Sequence, residues 1–221
     1  MSKGFWGVII LVVLLFVGIF TFTGNKADAP SKDSSGAGKP TSHIKGKGES
    51  GVKLVEYGDY QCPFCAKAFP AVEQAVADLN DQIYFQFRNY PLPNLHRNAF
   101  AAARAAEAAD MQGKFWEMYG ALYQSQPQWS ESDGVSTFFN QLAKQLGLDV
   151  DKFKKDYASR AVNNRINADK AEGEKLGVQG TPAFFLDGKK VDLPYSSGAE
   201  AVKKVLQQAI DGKTAGKPAG D

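Results

Sequence analysis

The sequence predicts an α/β domain in which a helical block separates two strand-bearing segments, with a membrane-length apolar run and a polar spacer ahead of it. Three observations carry this. Strand, helix and strand patterns follow one another from Val52 to Arg88, and strand, strand and helix patterns from Ala183 to Ile210, with only helical periodicity between them. Phe5 to Phe22 is an 18-residue run without a charged side chain. Residues 23–51 contain six Gly, five Ser, five Lys and two Pro, and Ile44 is the only large aliphatic side chain among them.

Composition narrows the function classes. The 221 residues carry 26 Lys+Arg against 24 Asp+Glu, a net charge of +2, and 43% are hydrophobic. This is ordinary globular composition and excludes wholesale disorder or collagen-like repeats. The near-neutral balance argues against nucleic acid as a partner. Two cysteines, Cys62 and Cys65, rule out a disulfide-scaffolded mini-protein and an all-cysteine zinc site, and two histidines leave little material for a metal enzyme.

As a helix, Phe5–Phe22 is about 27 Å long, close to the roughly 30 Å of bilayer hydrocarbon. Residues 1–22 are therefore expected to be a short cytoplasmic tail and a transmembrane signal-anchor. The competing reading is a cleaved signal peptide, because Ala27-Asp28-Ala29 resembles a small-x-small cleavage site. Against it, Pro30 follows that site, and the apolar run exceeds the usual h-region. Lys3 before the run and Lys26 and Lys32 after it make the positive-inside comparison nearly a tie. Residues 23–51 are expected to be a disordered linker spanning about 30 Å, with no specific role for His43.

Lys53–Tyr57 reads as a strand. Pro63–Leu79 reads as a helix, with Phe64, Ala68, Val72, Val76 and Leu79 at three- and four-residue steps, Pro63 in its first turn and Pro70 as a kink. Ile83–Arg88 is a β-branched and aromatic strand. An alanine-rich helix over Asn98–Met111 is interrupted at Gly113, and Lys114–Gln124 places Phe115, Met118, Tyr119 and Leu122 at helical spacing. Ser130–Asp133 offers capping material for a helix carrying Val135, Phe138, Phe139, Leu142 and Leu146. Asp149 caps another through Tyr157, and Ser159–Leu176 stops at Gly177. Ala183–Leu186, Asp187-Gly188 and Lys189–Val191 form a hairpin signature. Ser197 and Glu200 make a capping box for a final helix through Ile210, leaving 211–221 as a polar tail. The domain is thus expected over 52–210, with its helical insertion over about 94–176.

Cys62-Pro63-Phe64-Cys65 places two thiols nearly one helical turn apart. A helix N-terminus stabilises a thiolate through its free N–H groups and macrodipole, and a stabilised thiolate makes the corresponding disulfide a better oxidant. Redox activity is one reading. A static disulfide is another, although so short a loop constrains the unfolded chain little. Half of a metal site is a third, but it lacks further ligands. Glu56, in an otherwise apolar strand, either faces solvent or is buried. If buried, it has a raised pKa and can exchange protons with the thiols. Gly180-Thr181-Pro182 marks a special turn at a strand's entry. Acids such as Asp149 and Asp151 have no recognisable calcium-loop spacing.

Glu56-Tyr57-Gly58-Asp59-Tyr60-Gln61-Cys62-Pro63-Phe64-Cys65, Pro70 and Gly180-Thr181-Pro182 together resemble the thioredoxin superfamily, specifically its DsbA-like branch that includes BdbD-type proteins. Arg88-Asn89-Tyr90-Pro91-Leu92, His96, the alanine-rich helix and Gln112–Glu117 resemble the same branch, so the similarity covers about Val52–Ile210. It implies a thioredoxin fold with the helical block inserted between the second and third core strands. Cys62 takes the position of the nucleophile, Cys65 of its partner, Glu56 of the buried strand acid, and Pro182 of the cis-proline preceded by Thr181 at the substrate site. His96 matches a family position without an assigned chemistry. Phe64 stands where the best-known DsbA proteins carry histidine, so that residue's help in stabilising a thiolate is absent. The resemblance implies a protein-disulfide oxidoreductase; the apolar run makes it membrane-anchored, and it is expected to be extracytoplasmic because a disulfide donor is useful only where thiols stay oxidised. It would be monomeric and need no cofactor or metal beyond its own disulfide. Its partners would be reduced exported proteins and a membrane thiol oxidase of the DsbB or BdbC type. A reductase of the same fold and a copper- or client-binding module are the alternatives.

Overall fold

The structure, a computed structural model, describes residues 38–215. The expected span over 5–22 and the spacer as far as residue 37 lie outside these residues, and no helix among the described residues is long and apolar enough to cross a membrane.

Five strands make one sheet: β1 (His43–Lys45), β2 (Val52–Gly58), β3 (Ile83–Asn89), β4 (Ala183–Leu186) and β5 (Lys189–Val191), in the order β1-β3-β2-β4-β5. β2 pairs parallel with β3 and antiparallel with β4, and the two edge strands run antiparallel to their neighbours. α1 (Pro63–Asp78) is the crossover from β2 to β3. The insertion comprises α2 (Ala99–Asp110), α3 (Phe115–Gln124), α4 (Gln126–Trp129), α5 (Val135–Gln145), α6 (Val150–Tyr157) and α7 (Arg160–Lys175), and α8 (Ala199–Ala215) closes the described chain.

Alternation along β2 sorts the two faces of the sheet. Val52, Leu54 and Glu56 share a face with Phe85, Phe87 and Phe184, to which they are paired in register or which lie across from them. Against this face pack Ala68, Val72 and Val76 of α1, Met118 and Leu122 of α3, and Val202 and Leu206 of α8, all buried. Tyr57 faces the other way, into a smaller cluster with Tyr90, Val178, Ala183 and Phe185. α7 approaches that cluster through Gly173, where a Cβ would stand 2.8 Å from the Tyr90 ring and 2.9 Å from Tyr57. Trp129, Phe139 and Phe153 are fully buried within the insertion, each side chain contributing about 1.5–3 kcal/mol of apolar burial.

Three boundaries differ from expectation. The linker gives way to structure before residue 51, because His43–Lys45 forms β1 opposite Phe85–Phe87. Polar anchors hold this strand rather than apolar ones. Thr41 donates from its amide (2.6 Å) and its hydroxyl (2.8 Å) to Asp169, and Lys45 pairs with Glu73 at 2.5 Å. His43 is buried between Glu107 (2.6 Å) and Asp110 (3.4 Å) and stacks on Phe115. Burial alone would lower the His43 pKa, but hydrogen bonds to Asp110 and Glu107, reinforced by their charges, raise it to about 9. At the other end, α8 continues through Ala215 and takes in the first part of the expected tail. The capping box does not open α8: Ser197 ends a 3-10 turn (Tyr195–Ser197), and Gly198, at φ 92°, makes the break before the helix.

Candidate active site at the start of the first helix

Cys62 is the N-cap of α1, with extended backbone (φ −65°, ψ 124°), and Pro63 occupies the first turn. Proline fits there because its missing N–H has no intrahelical partner to lose. The carbonyl of Cys62 accepts the first helical bond from Ala66, and its amide donates to the Asp59 carbonyl at 3.1 Å. The thiol thus sits where the free N–H groups of the first helical turn converge. Both cysteines are free thiols. Cys62 keeps 3% of its surface exposed and Cys65 none, while Phe64 between them is 61% exposed.

The two thiols differ sharply in acidity. Cys62 is lowered from 9.0 to about 6, first by its hydrogen bond with the Cys65 thiol, then, against the opposing effect of burial, by Thr181 and by the backbone N–H groups of Cys65 and Phe64. The Cys65 thiol and the N–H groups at the helix start therefore stand where the absent histidine would have helped. Cys65 is pushed well above the ordinary range by burial, by its bond to Cys62 and by the nearby Glu56. One sulfur is set to leave as a thiolate, and the other to hold a proton.

Thr181 and Pro182 enter from the far end of the chain. The Cys62 thiol donates to the Thr181 carbonyl at 3.3 Å, and the Thr181–Pro182 peptide is cis. β4 begins at Ala183, paired with Tyr57 of β2, which brings the loop before it beside the start of α1. Glu56 lies on the core face of β2, 1% exposed, and its Oε2 has no hydrogen-bond partner in the protein. Burial raises its pKa to about 8, with Glu73 adding to the shift, Lys45 opposing it and Cys62 adding a little more. All five residues singled out from the sequence thus converge: Cys62 and Cys65 on α1, Glu56 beneath them, and Thr181 and Pro182 alongside.

Sequence reasoning missed the brace around this turn. The buried Asp59 carboxylate accepts from the amides of Gln61 (2.8 Å) and Leu92 (3.0 Å), and its Oδ2 lies 2.7 Å from His96 Nδ1. The Gln61 side chain bridges to the Asn98 amide and the Ser130 carbonyl, both at 2.6 Å. Gln126 donates to the carbonyls of Tyr60 (2.7 Å) and Cys62 (3.1 Å). An acid in a Gly-Asp turn just before the cysteines was the available signal for Asp59; its partners lie too far along the chain to be read.

His43, Glu107 and Asp110 form the one group of at least three His, Cys, Asp or Glu residues among the described residues whose ligand atoms lie within 4.8 Å of one another. Arg165 also reaches Asp110 at 2.6 Å and Glu107 at 3.3 Å. The two acids are thus already faced by a guanidinium and a protonated imidazole, an arrangement that suits structure better than cation binding.

The family model described as Thioredoxin matches residues 38–208. Among curated proteins, the Na(+)/H(+) antiporter NhaA 1 of Mycolicibacterium vanbaalenii is 35% identical over 159 residues, 71% of this chain and 25% of that protein, so the chain spans about a quarter of that relative's length. The probable disulfide bond formation protein D of Bacillus anthracis is 27% identical over 206 residues, 90% of this chain and 93% of that protein. Among solved structures, a thioredoxin-like oxidoreductase from Silicibacter pomeroyi superposes with a TM-score of 0.62 at 30% identity, covering 84% of this chain and 99% of that one.

Proposed function

Because the chain belongs to the thioredoxin family and resembles its DsbA-like members, we propose that it is a protein thiol–disulfide oxidoreductase that introduces disulfide bonds into exported proteins through Cys62 and Cys65. A client thiolate attacks Cys62 Sγ. The Cys62–Cys65 bond breaks, its electron pair passes to Cys65 Sγ, and that sulfur takes up a proton. A second client thiolate then attacks the client sulfur of the mixed disulfide and releases Cys62 as a thiolate. Two electrons have moved from client to enzyme.

The observation that carries the reading is the placement of Cys62 at the N-cap of α1 with Cys65 one turn on and the Thr181 carbonyl 3.3 Å away, which together with its lowered pKa, about 6, favours the thiolate. A thiolate stable at neutral pH favours the reduced pair, and so makes the disulfide an oxidant. The edge at Thr181 and Pro182 holds the client's backbone beside Cys62, and the exposed Phe64 ring offers it an apolar contact. In the same proposal the segment over 5–22 anchors the domain at the extracytoplasmic face, where thiols stay oxidised. The domain works there as a monomer, without a cofactor, and a membrane thiol oxidase of the DsbB or BdbC type reoxidises it.

The test is refolding of a reduced, disulfide-dependent substrate by the wild-type chain and by Cys62→Ser. The wild type is expected to restore substrate activity and the variant is not; equal behaviour rejects the enzymatic reading. A reduction potential near that of thioredoxin would reverse the direction.

A further inference from the structure

Because residue 63 is proline, the peptide that joins Cys62 to α1 has no N–H. Its carbonyl is the one hydrogen-bonding group by which that peptide plane can be held. Two donors meet this carbonyl. Ala66 supplies its amide from within the helix at 3.1 Å, and Gln126 supplies a side-chain N–H, also at 3.1 Å, from the insertion 64 residues on. The same Gln126 nitrogen lies 2.7 Å from the Tyr60 carbonyl, so its two hydrogens serve two carbonyls two residues apart. With acceptors at both contacts, the NH2 end of the amide is the end that faces the turn.

The insertion fixes Gln126 from both sides. It is buried and opens α4, one residue after α3 ends. Before it, the Ser125 hydroxyl donates to the Ala121 carbonyl at 2.6 Å. After it, the fully buried Trp129 donates from Nε1 to the Leu122 carbonyl at 2.9 Å and packs edge-on against Phe139 of α5, with ring centroids 5.4 Å apart. A primary amide carries no charge at any ordinary pH, so this contact persists whether Cys62 is thiol, thiolate or disulfide. What it holds bears on the sulfur. Rotation about ψ of Cys62, 124° here, turns the Cys62–Pro63 peptide plane and with it the start of α1 relative to Sγ. The Cys65 thiol and the backbone N–H groups of Cys65 and Phe64, which lower the Cys62 pKa, all lie on the far side of that rotation.

We propose that Gln126 is a positioning residue for the exchange reaction, which by holding the Cys62 carbonyl fixes the angle at which Cys62 Sγ meets the first turn of α1. The proposal rests on the exchange described above and concerns its last step. When the second client thiolate resolves the mixed disulfide, Cys62 departs as a thiolate, and the N–H groups of the helix start have to be in place at that moment. The strand-and-helix core supplies those groups, and the insertion supplies the hydrogen bond that keeps them aimed. The insertion is thereby a working part of the redox site as well as a cover for the sheet.

The test uses the full chain with Gln126→Met, which keeps the length of the side chain and removes both donors. Gln128→Met makes the same change at an exposed position of the same short helix. Three quantities are read on protein shown by urea unfolding to be folded: thiolate absorbance of Cys62 against pH, the reduced fraction in glutathione buffers, and the rate of oxidation of a reduced two-cysteine peptide. In Gln126→Met, Cys62 is expected to titrate at higher pH and peptide oxidation to slow. The glutathione equilibrium is expected to move about tenfold toward the disulfide form, the scale of a lost buried hydrogen bond. Gln128→Met is expected to match the wild type. A folded Gln126→Met with the wild-type titration and equilibrium overturns the proposal, and so does an equal shift in Gln128→Met. If Cys62→Ser oxidises the peptide as fast as the wild type, the exchange reading itself fails; if Cys62→Ser is inactive and Gln126→Met is unaltered, the positioning role alone fails. A measurement on the wild type needs no variant to fold. Coupling between two sites is reciprocal, so the side-chain NH2 signals of Gln126 in the reduced protein are expected by NMR to move with the titration of Cys62 while those of Gln128 stay still. Gln126 signals that do not move overturn the proposal.

Discussion

His96 Nδ1 stands 2.7 Å from Asp59 Oδ2, and through this contact the loop after β3 is fastened to the turn that presents Cys62. Asp59 also binds Cys62 through its backbone. Its carbonyl accepts from the Cys62 amide at 3.1 Å, and its backbone partly offsets the rise in the Cys65 pKa. Replacing the carboxylate strands two amide donors and the imidazole. Asp59→Ala is expected to destabilise the protein by about 3 kcal/mol, the scale of a buried charged group losing its partners. Urea unfolding measures this, and a loss within about 0.5 kcal/mol, the usual size of a surface change, would show that the brace is dispensable.

The acidity of Cys62 makes the reduced protein's stability depend on pH. Its folded value of about 6 lies below the ordinary 9.0, so its contribution is complete above 9.0 and declines as pH falls through about 6. The oxidised protein has no such thiol. The stability of the reduced form relative to the oxidised form is therefore expected to fall as pH is lowered from about 9 to about 6. Paired denaturant titrations of the two forms check the slope.

Glu56 has the opposite sign. Its folded value of about 8 lies above the ordinary 4.5, so the folded state holds a proton that the unfolded chain releases. The favourable contribution is complete below 4.5 and is lost as pH rises through about 8. Glu56→Gln removes the titration and is expected to raise stability at neutral pH by about 2 kcal/mol, while slowing peptide oxidation. Urea unfolding at several pH values should show the gap between variant and wild type widening with pH across that window.

His43 ties β1 to α2. Its pKa is raised from 6.5 to about 9, so the paired imidazolium contributes fully below 6.5, and that contribution is lost as pH rises through about 9. His43→Ala leaves Glu107 buried with Arg165 and Asn89 as its remaining partners. A cost of about 2–4 kcal/mol is expected, together with faster proteolysis ahead of β2. Limited proteolysis with mass readout distinguishes local release of β1 from global unfolding.

What could be read from the sequence divides by the range of the interactions involved. Residues 52–58, 63–78 and 83–89 declare themselves through local periodicity, and the Cys62/Cys65 spacing needs only one helical turn to acquire meaning. Glu56 could be placed on the strand, but alternation alone does not say whether its face is covered. Tyr119 and Tyr123, whose buried hydroxyls feel its charge, lie more than 60 residues away. β1 was illegible for the same reason. Gly- and Lys-rich composition describes a spacer, and only Glu107 and Asp169, contributed by α2 and α7, turn Thr41 and His43 into anchors. Ser197 misled because a four-residue pattern records which cap is available and not the Gly198 break that takes its place.

Between the cysteines, the ring of Phe64 shows 61% of its surface while Cys62 shows 3%. A passing polypeptide meets grease before it meets sulfur. In the proposed exchange a client thiol has to pass that ring to reach Cys62, which favours a pliant segment. A client cysteine held rigidly on a folded surface is then expected to react more slowly than one on a flexible segment, a difference that paired rates on folded and unfolded forms of one substrate would read.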